Sequence, residues 1–140
     1  MSQENVDFVK GLFAAGAEMD REALLAALPE LIAQTCDPEI EWVEDPQRAD
    51  SRVYRGHDGV RAYWRYWLES WESIEFRLDD LIDAGDEVVA LIWQRNRGRA
   101  SGAVVEYEYA QVWTLREGLV TRQRTFVRRE DALKAVGLTE

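Results

Sequence analysis

Apolar residues near the N-terminus recur at helical spacing. Val6, Val9, Leu12, Phe13 and Ala17 form one stripe, which predicts a helix from about Asn5 to Glu18. Asp20 follows at an N-cap position, where its carboxylate accepts from otherwise unpaired backbone N–H groups. A second helical series runs through Leu24, Leu25, Leu28, Leu31 and Ile32, with Pro29 inside it. A proline ring clashes with the preceding turn, so this series is expected to break into two pieces. Cys36-Asp37-Pro38 closes the helical third, and EIEWVEDP begins extended structure. Residues 50–56 read as a loop leading into a third helix, GHDGVRAYWRYWLESW. There Val60, Tyr63, Trp64, Trp67, Leu68 and Trp71 share one face. An aromatic stripe of this kind either stacks on bases or sugars or, more commonly, packs as core against a sheet.

From Ser73 the apolar period changes to two. IEFRLDDLIDAGDEVVALIWQRNRG breaks at the turn Ala84-Gly85-Asp86. AVVEYEYAQVWTLREGLVTRQRTFV turns at Glu117-Gly118 between two alternating runs, which predicts a hairpin. A short amphipathic stretch, REDALKAVGL, ends the chain. Neither a repeat nor a low-complexity linker interrupts the pattern, so residues 1–140 read as a single domain. Helices segregated from three or four antiparallel strands imply an α+β fold, with helices packed on one face of a curved sheet.

Composition narrows the partners. With 140 residues, 46% of them hydrophobic, the chain can bury a core without a metal or a disulfide. The formal net charge of −10 repels nucleic acid and anionic membrane, so neither is an expected partner. Arginines do cluster locally, at Arg95, Arg97 and Arg99 and again at Arg122, Arg124, Arg128 and Arg129, as solvated strand edges or small-anion contacts. The single cysteine, Cys36, cannot form an intrachain disulfide, which favours a reducing compartment. MSQENVDFVKGLF lacks a basic flank followed by an apolar run, and no apolar run is long enough to span a bilayer. The expected location is the cytoplasm. One histidine and one cysteine give no transition-metal ligand set, and neither a phosphate-binding glycine loop nor a Ser-His-Asp spacing is present. No cofactor is expected.

The order of elements, together with WVEDP, YRGHDGVRAYW and the late hairpin QVWTLREGLV, resembles the SnoaL-like group of the NTF2-like superfamily. Ketosteroid isomerases, polyketide cyclases, scytalone dehydratases and limonene epoxide hydrolases belong to it. The resemblance implies a conical α+β barrel in which a bent, mostly antiparallel sheet wraps a long helix around an apolar cavity. It also implies a homodimer joined through the outer sheet face.

Around the general base of ketosteroid isomerases the sequence also reads Val-Glu-Asp-Pro, so the resemblance implies that role for Asp45. Side chains alternate along a strand, placing Glu41, Val43 and Asp45 on one face and Trp42 and Glu44 on the other. With Asp45 turned to the cavity, Trp42 is expected on the outer surface. The alternative for Asp45 is a strand-end acid held by a backbone N–H or an arginine. Proton abstraction also needs donors for the developing oxyanion. The resemblance puts Gly16 at the tyrosine donor position and Gln111 at the acidic donor position. Gly16 has nothing to donate, while Gln111 can donate only through its amide. The epoxide-hydrolase relatives use an Asp-Arg-Asp arrangement, of which only Asp45 is assignable here, with Arg95 or Arg124 as a partner.

His57, the sole histidine, is either an acid or base at the cavity mouth or a packing residue at the start of the third helix. Alternation groups Tyr107, Tyr109, Gln111 and Trp113, as a cavity wall or as packing against the Trp64/Trp67 helix. On the last strand Gln123, Thr125 and Val127 are the inward set. Candidate ligand contacts are therefore Val43, Tyr54, Trp64, Trp93, Tyr109, Trp113 and Thr125, with Asp45, His57 and Gln111 as candidate catalytic residues. Two functions follow. One is a cofactor-independent isomerase, cyclase or dehydratase acting on a small apolar carbonyl compound. The other is a non-catalytic module that binds a small hydrophobic ligand or dimerises.

Overall fold

The structure, a computed structural model, describes residues 2–45 and 47–138. Pro46, the last residue of the Val-Glu-Asp-Pro match, lies outside them. Helix α1 spans Ser2–Ala17 and α2 spans Arg21–Thr35, capped as expected by Asp20, whose Oδ1 accepts from Ala23 N at 2.7 Å. Contrary to the expected break, α2 runs unbroken through Pro29. The proline sits on the exposed side, where water can take the freed carbonyl, while Leu28 and Ile32 anchor the helix to the core on either side of it.

Strand β1 (Cys36–Val43) begins directly at the end of α2, earlier than expected. Pro38 is accommodated because the register of β1 against its neighbour skips between Cys36 and Glu41, so no ladder bond needs its missing N–H. The predicted loop over 50–56 contains a short strand, β2 (Val53–Arg55), paired antiparallel with β1. Helix α3 (Gly56–Ser70) follows, then β3 (Trp71–Ala84), β4 (Glu87–Gly98), β5 (Val104–Arg116), β6 (Leu119–Phe126) and α4 (Arg129–Ala135).

Sheet order is β2-β1-β6-β5-β4-β3, with β1 parallel to β6 and every other pair antiparallel. Register shifts at Leu78/Asp80 and Thr114/Leu115 add residues to one strand, a device that bends a sheet. The sheet curves without closing, since β2 and β3 remain its edges. The β5–β6 hairpin turns on Glu117 and Gly118, both at positive φ (54° and 79°), the two-residue geometry that matches strand twist.

Period-two alternation sorts the residues onto two faces. Val88, Ala90 and Ile92 of β4 meet Val9, Leu28, Ile32, Val60 and Leu68 of the three long helices on the concave face. Val89 with Ala110 and Val112 of β5 form a smaller cluster on the convex face, covered by Ala132 and Leu133 of α4. Each buried Val, Leu or Ile among them contributes about 1.5–3 kcal/mol. Among the described residues no helix is long and apolar enough to cross a membrane.

Candidate functional site

The three long helices do not fill the concave face. Between them and β4–β6 lies a cavity of about 670 Å³, within the usual range of pockets that hold a small organic molecule. Its helical side is mostly apolar, with Leu12, Phe13 and Gly16 of α1, Leu24 and Leu28 of α2, and Trp64 and Trp67 of α3, joined by Asp20 and Arg21 at the start of α2. Five of the chain's six tryptophans line it, namely Trp42, Trp64, Trp67, Trp71 and Trp113.

Trp42 is a correction to the expected outer placement. It is only 3% exposed and packs edge-on against Trp113 and Trp64, at ring-centroid distances of 5.6 and 6.1 Å, with Tyr63 at 5.5 Å. The inward parity of β1 belongs to Ile40 and Trp42, because two large apolar side chains gain more from the core than Glu41 and Val43 would. Trp42 Nε1 lies near the Tyr63 hydroxyl yet makes no hydrogen bond of normal geometry.

The wall contributed by β5 holds the grouping read from alternation: Tyr107, Tyr109, Gln111 and Trp113 all border the cavity. Gln111 Oε1 accepts from Trp113 Nε1 at 3.2 Å, which leaves the amide NH₂ of Gln111 as the group able to meet a ligand. Beside it runs a polar relay absent from the sequence-derived set. The Tyr109 hydroxyl donates to Gln94 Oε1, Gln94 Nε2 donates to Asn96 Oδ1 at 3.0 Å, and Asn96 Nδ2 donates to the Tyr107 hydroxyl at 3.1 Å. Gln94 and Asn96 are buried, and burying two amides is tolerable because each is hydrogen-bonded. Burial also raises the pKa values of Tyr63, Tyr107 and Tyr109 above the ordinary phenol value of 10.0, most firmly for Tyr63 and Tyr109. These hydroxyls are neutral donors near pH 7, not bases. The only trace of the relay in sequence is the inward parity of Ile92, Gln94 and Asn96, which alternate with Trp93, Arg95 and Arg97.

From β6, Thr125 borders the cavity, as does Val127 just beyond the strand, while Gln123 is fully buried beside them. Thr125 and Gln123 exchange hydrogen bonds at 2.9 and 3.2 Å.

Asp45 is 2% exposed and does not border the cavity. Its Oδ1 accepts from Gln47 N at 2.8 Å and its Oδ2 from Val127 N at 2.7 Å. The Asp45 carbonyl accepts from Arg48 N at 3.0 Å, and the Arg48 carbonyl from Ser51 N at 3.2 Å. This compact turn carries Arg48 to the cavity rim.

His57 also stands away from the cavity. Its Nε2–H donates to the Cys36 carbonyl at 2.8 Å, fastening the start of α3 to the start of β1. Three expected ligand contacts lie elsewhere. Val43 has the outward parity of β1, and Tyr54 packs edge-on against Tyr63 at 5.3 Å, outside the lining. Trp93 lies on the convex face under the Arg77 guanidinium at 4.8 Å. Nor does Arg95 or Arg124 reach Asp45: Arg95 faces Glu75 and Glu106 at 3.9 Å each, and Arg124 binds Glu87 at 3.0 Å.

The model of the SnoaL-like domain matches residues 9–123. Several solved structures share the fold. An NTF2-like protein from Burkholderia thailandensis E264 is 28% identical over 83% of this chain and 91% of that one, with a TM-score of 0.63. A putative SnoaL-like polyketide cyclase from Jannaschia sp. CCS1 is 16% identical over 84% and 88%, with a TM-score of 0.65. TerC, co-crystallized with polyporic acid, is 18% identical over 94% and 97%, with a TM-score of 0.67. No curated protein matches the chain.

Proposed function

The chain belongs to the SnoaL-like domain family, and we propose that its cavity binds a small, flat, largely apolar organic molecule bearing at least one oxygen acceptor. The observation that carries this reading is the unfilled volume of about 670 Å³ walled by aromatic rings, with the Gln111 amide left free to donate. Aromatic walls favour a flat ligand, and a free amide N–H in an apolar setting favours one that supplies an acceptor, since an unpaired buried donor is costly. That TerC was co-crystallized with polyporic acid is in keeping with a small-molecule site on this fold. Titration with the neutral fluorophore N-phenylnaphthylamine tests the proposal. One molecule is expected to bind per chain, with energy transfer from the tryptophans around the cavity. Emission that stays at the aqueous level throughout the titration would contradict it.

A second reading keeps Asp45 as a general base acting on a carbonyl compound. What favours it is the burial of the carboxylate and its hydrogen bond to Val127, a cavity residue. A base must come within hydrogen-bond reach of the proton that it removes. In this reading ligand binding has to open a path from the cavity to the Asp45 carboxylate, which keeps lone pairs beyond the two that accept from Gln47 N and Val127 N. Turnover lost in Asp45→Asn, with binding and fold retained, would support the base; turnover unchanged would reject it.

A further inference from the structure

The relay Tyr109–Gln94–Asn96–Tyr107 has a property independent of the direction in which its amides are assigned. Three hydrogen bonds link four groups, and the two hydroxyls stand at its ends. In either direction one terminal phenol accepts from the relay and keeps its own proton unused. As drawn by the geometry, that phenol is Tyr107, whose oxygen accepts from Asn96 Nδ2. A chain of aligned hydrogen bonds polarises its members, so the terminal O–H is a stronger donor than an isolated phenol.

Tyr107 also has a charged neighbour. The Arg48 guanidinium borders the same cavity and lies near enough to act on the Tyr107 hydroxyl electrostatically. Its ion pair with Asp50 is long, at 3.4 Å, with the Asp50 side chain 77% exposed, so it is weak and easily exchanged. Two hydrogen bonds to Asp45 fix the turn that carries Arg48, through Gln47 N and Arg48 N. One end of a mostly apolar hollow, whose lining also includes Arg21, Glu72 and Glu108, therefore offers a polarised O–H and a cation.

We propose that Tyr107 and Arg48 together bind an acidic oxygen group of the ligand, such as a carboxylate or an ionised enol, with Asn96, Gln94 and Tyr109 as positioning residues. This rests on the ligand-binding reading above and adds the charge of the ligand to it. A protein of net charge −10 repels anions at long range, so selecting one requires a local arrangement of this kind. The acidic group is held at the rim while the flat body of the ligand lies along the tryptophans.

Two fluorophores that differ only in an acidic group form the test: anilinonaphthalene sulfonate and its neutral parent N-phenylnaphthylamine. The quantity read is the ratio of their affinities, measured for wild type, Tyr107→Phe and Arg48→Gln. Wild type is expected to prefer the sulfonate, and each substitution to lower the ratio by roughly tenfold, the scale of a charge-assisted hydrogen bond. Binding of the neutral probe reports that each variant has formed its cavity. A wild-type preference for the neutral probe, or a ratio untouched by both substitutions, overturns the proposal and leaves the ligand-binding function standing. Failure of wild type to bind the neutral probe overturns both.

Discussion

Asp45 Oδ2 accepts a hydrogen bond from Val127 N at 2.7 Å, tying the end of β1 to the end of β6 across 82 residues of chain. The other oxygen folds the following turn through Gln47 N. A carboxylate is the side chain suited to this, because it accepts on both oxygens and donates on neither. Asp45→Asn sets an NH₂ group against one of the two backbone donors and leaves that donor unpaired. The expected loss is about 1–3 kcal/mol, or a fall of several degrees in Tm, read by thermal unfolding. An unchanged Tm would show that these bonds do not anchor the strand ends.

Trp42 separates ring packing from polar satisfaction. Trp42→Ala removes its contacts with Tyr63, Trp64 and Trp113 and is expected to cost about 3–5 kcal/mol by urea unfolding. Trp42→Phe keeps a ring in place and removes an indole N–H that has no partner, so its loss should be much smaller. Equal losses in the two variants would contradict this placement of the side chain.

The buried phenols predict an alkaline limit to stability. Tyr63, Tyr107 and Tyr109 all have folded-state values raised above 10.0 by burial. As pH rises past the unfolded value, the unfolded chain loses these protons first, so the unfolded state gains. Stability should be level up to about pH 9 and fall steadily above about pH 10. Urea unfolding across this range checks the slope, which Tyr63→Phe should make shallower. Stability that is flat up to about pH 11 would contradict the burial of these hydroxyls.

Where alternation or helical spacing was strong, the sequence was readable: the α3 stripe, the inward face of β5 and the Glu117-Gly118 hairpin all follow from local pattern. Three features depended on tertiary balance. Pro29 stays within α2 because Leu28 and Ile32 hold both halves to the core, outweighing one lost hydrogen bond. The role expected of Asp45 points Trp42 outward, whereas burial of Ile40 and Trp42 sets the parity of β1. The relay partners of Tyr107 and Tyr109 sit on a neighbouring strand, Gln94 opposite Tyr107 and Asn96 opposite Val105, and only the register brings them together. Function was less legible than fold for the same reason: a carboxylate in a familiar motif does not reveal which atoms it will face.

If the hollow is a ligand site, closing it from Gly16 should weaken binding without unfolding the protein. Gly16 borders the cavity without a positive φ, and a Cβ added there would meet only Phe76 Cζ, at an ordinary 3.8 Å. Gly16→Leu therefore fills the cavity from a helix in which leucine is preferred to glycine by up to about 1 kcal/mol. N-phenylnaphthylamine titrated into this variant should bind at least tenfold more weakly than to wild type (roughly 1.4 kcal/mol), while the unfolding midpoint holds or rises. Undiminished binding in a stable Gly16→Leu protein would show that the hollow is not the ligand site.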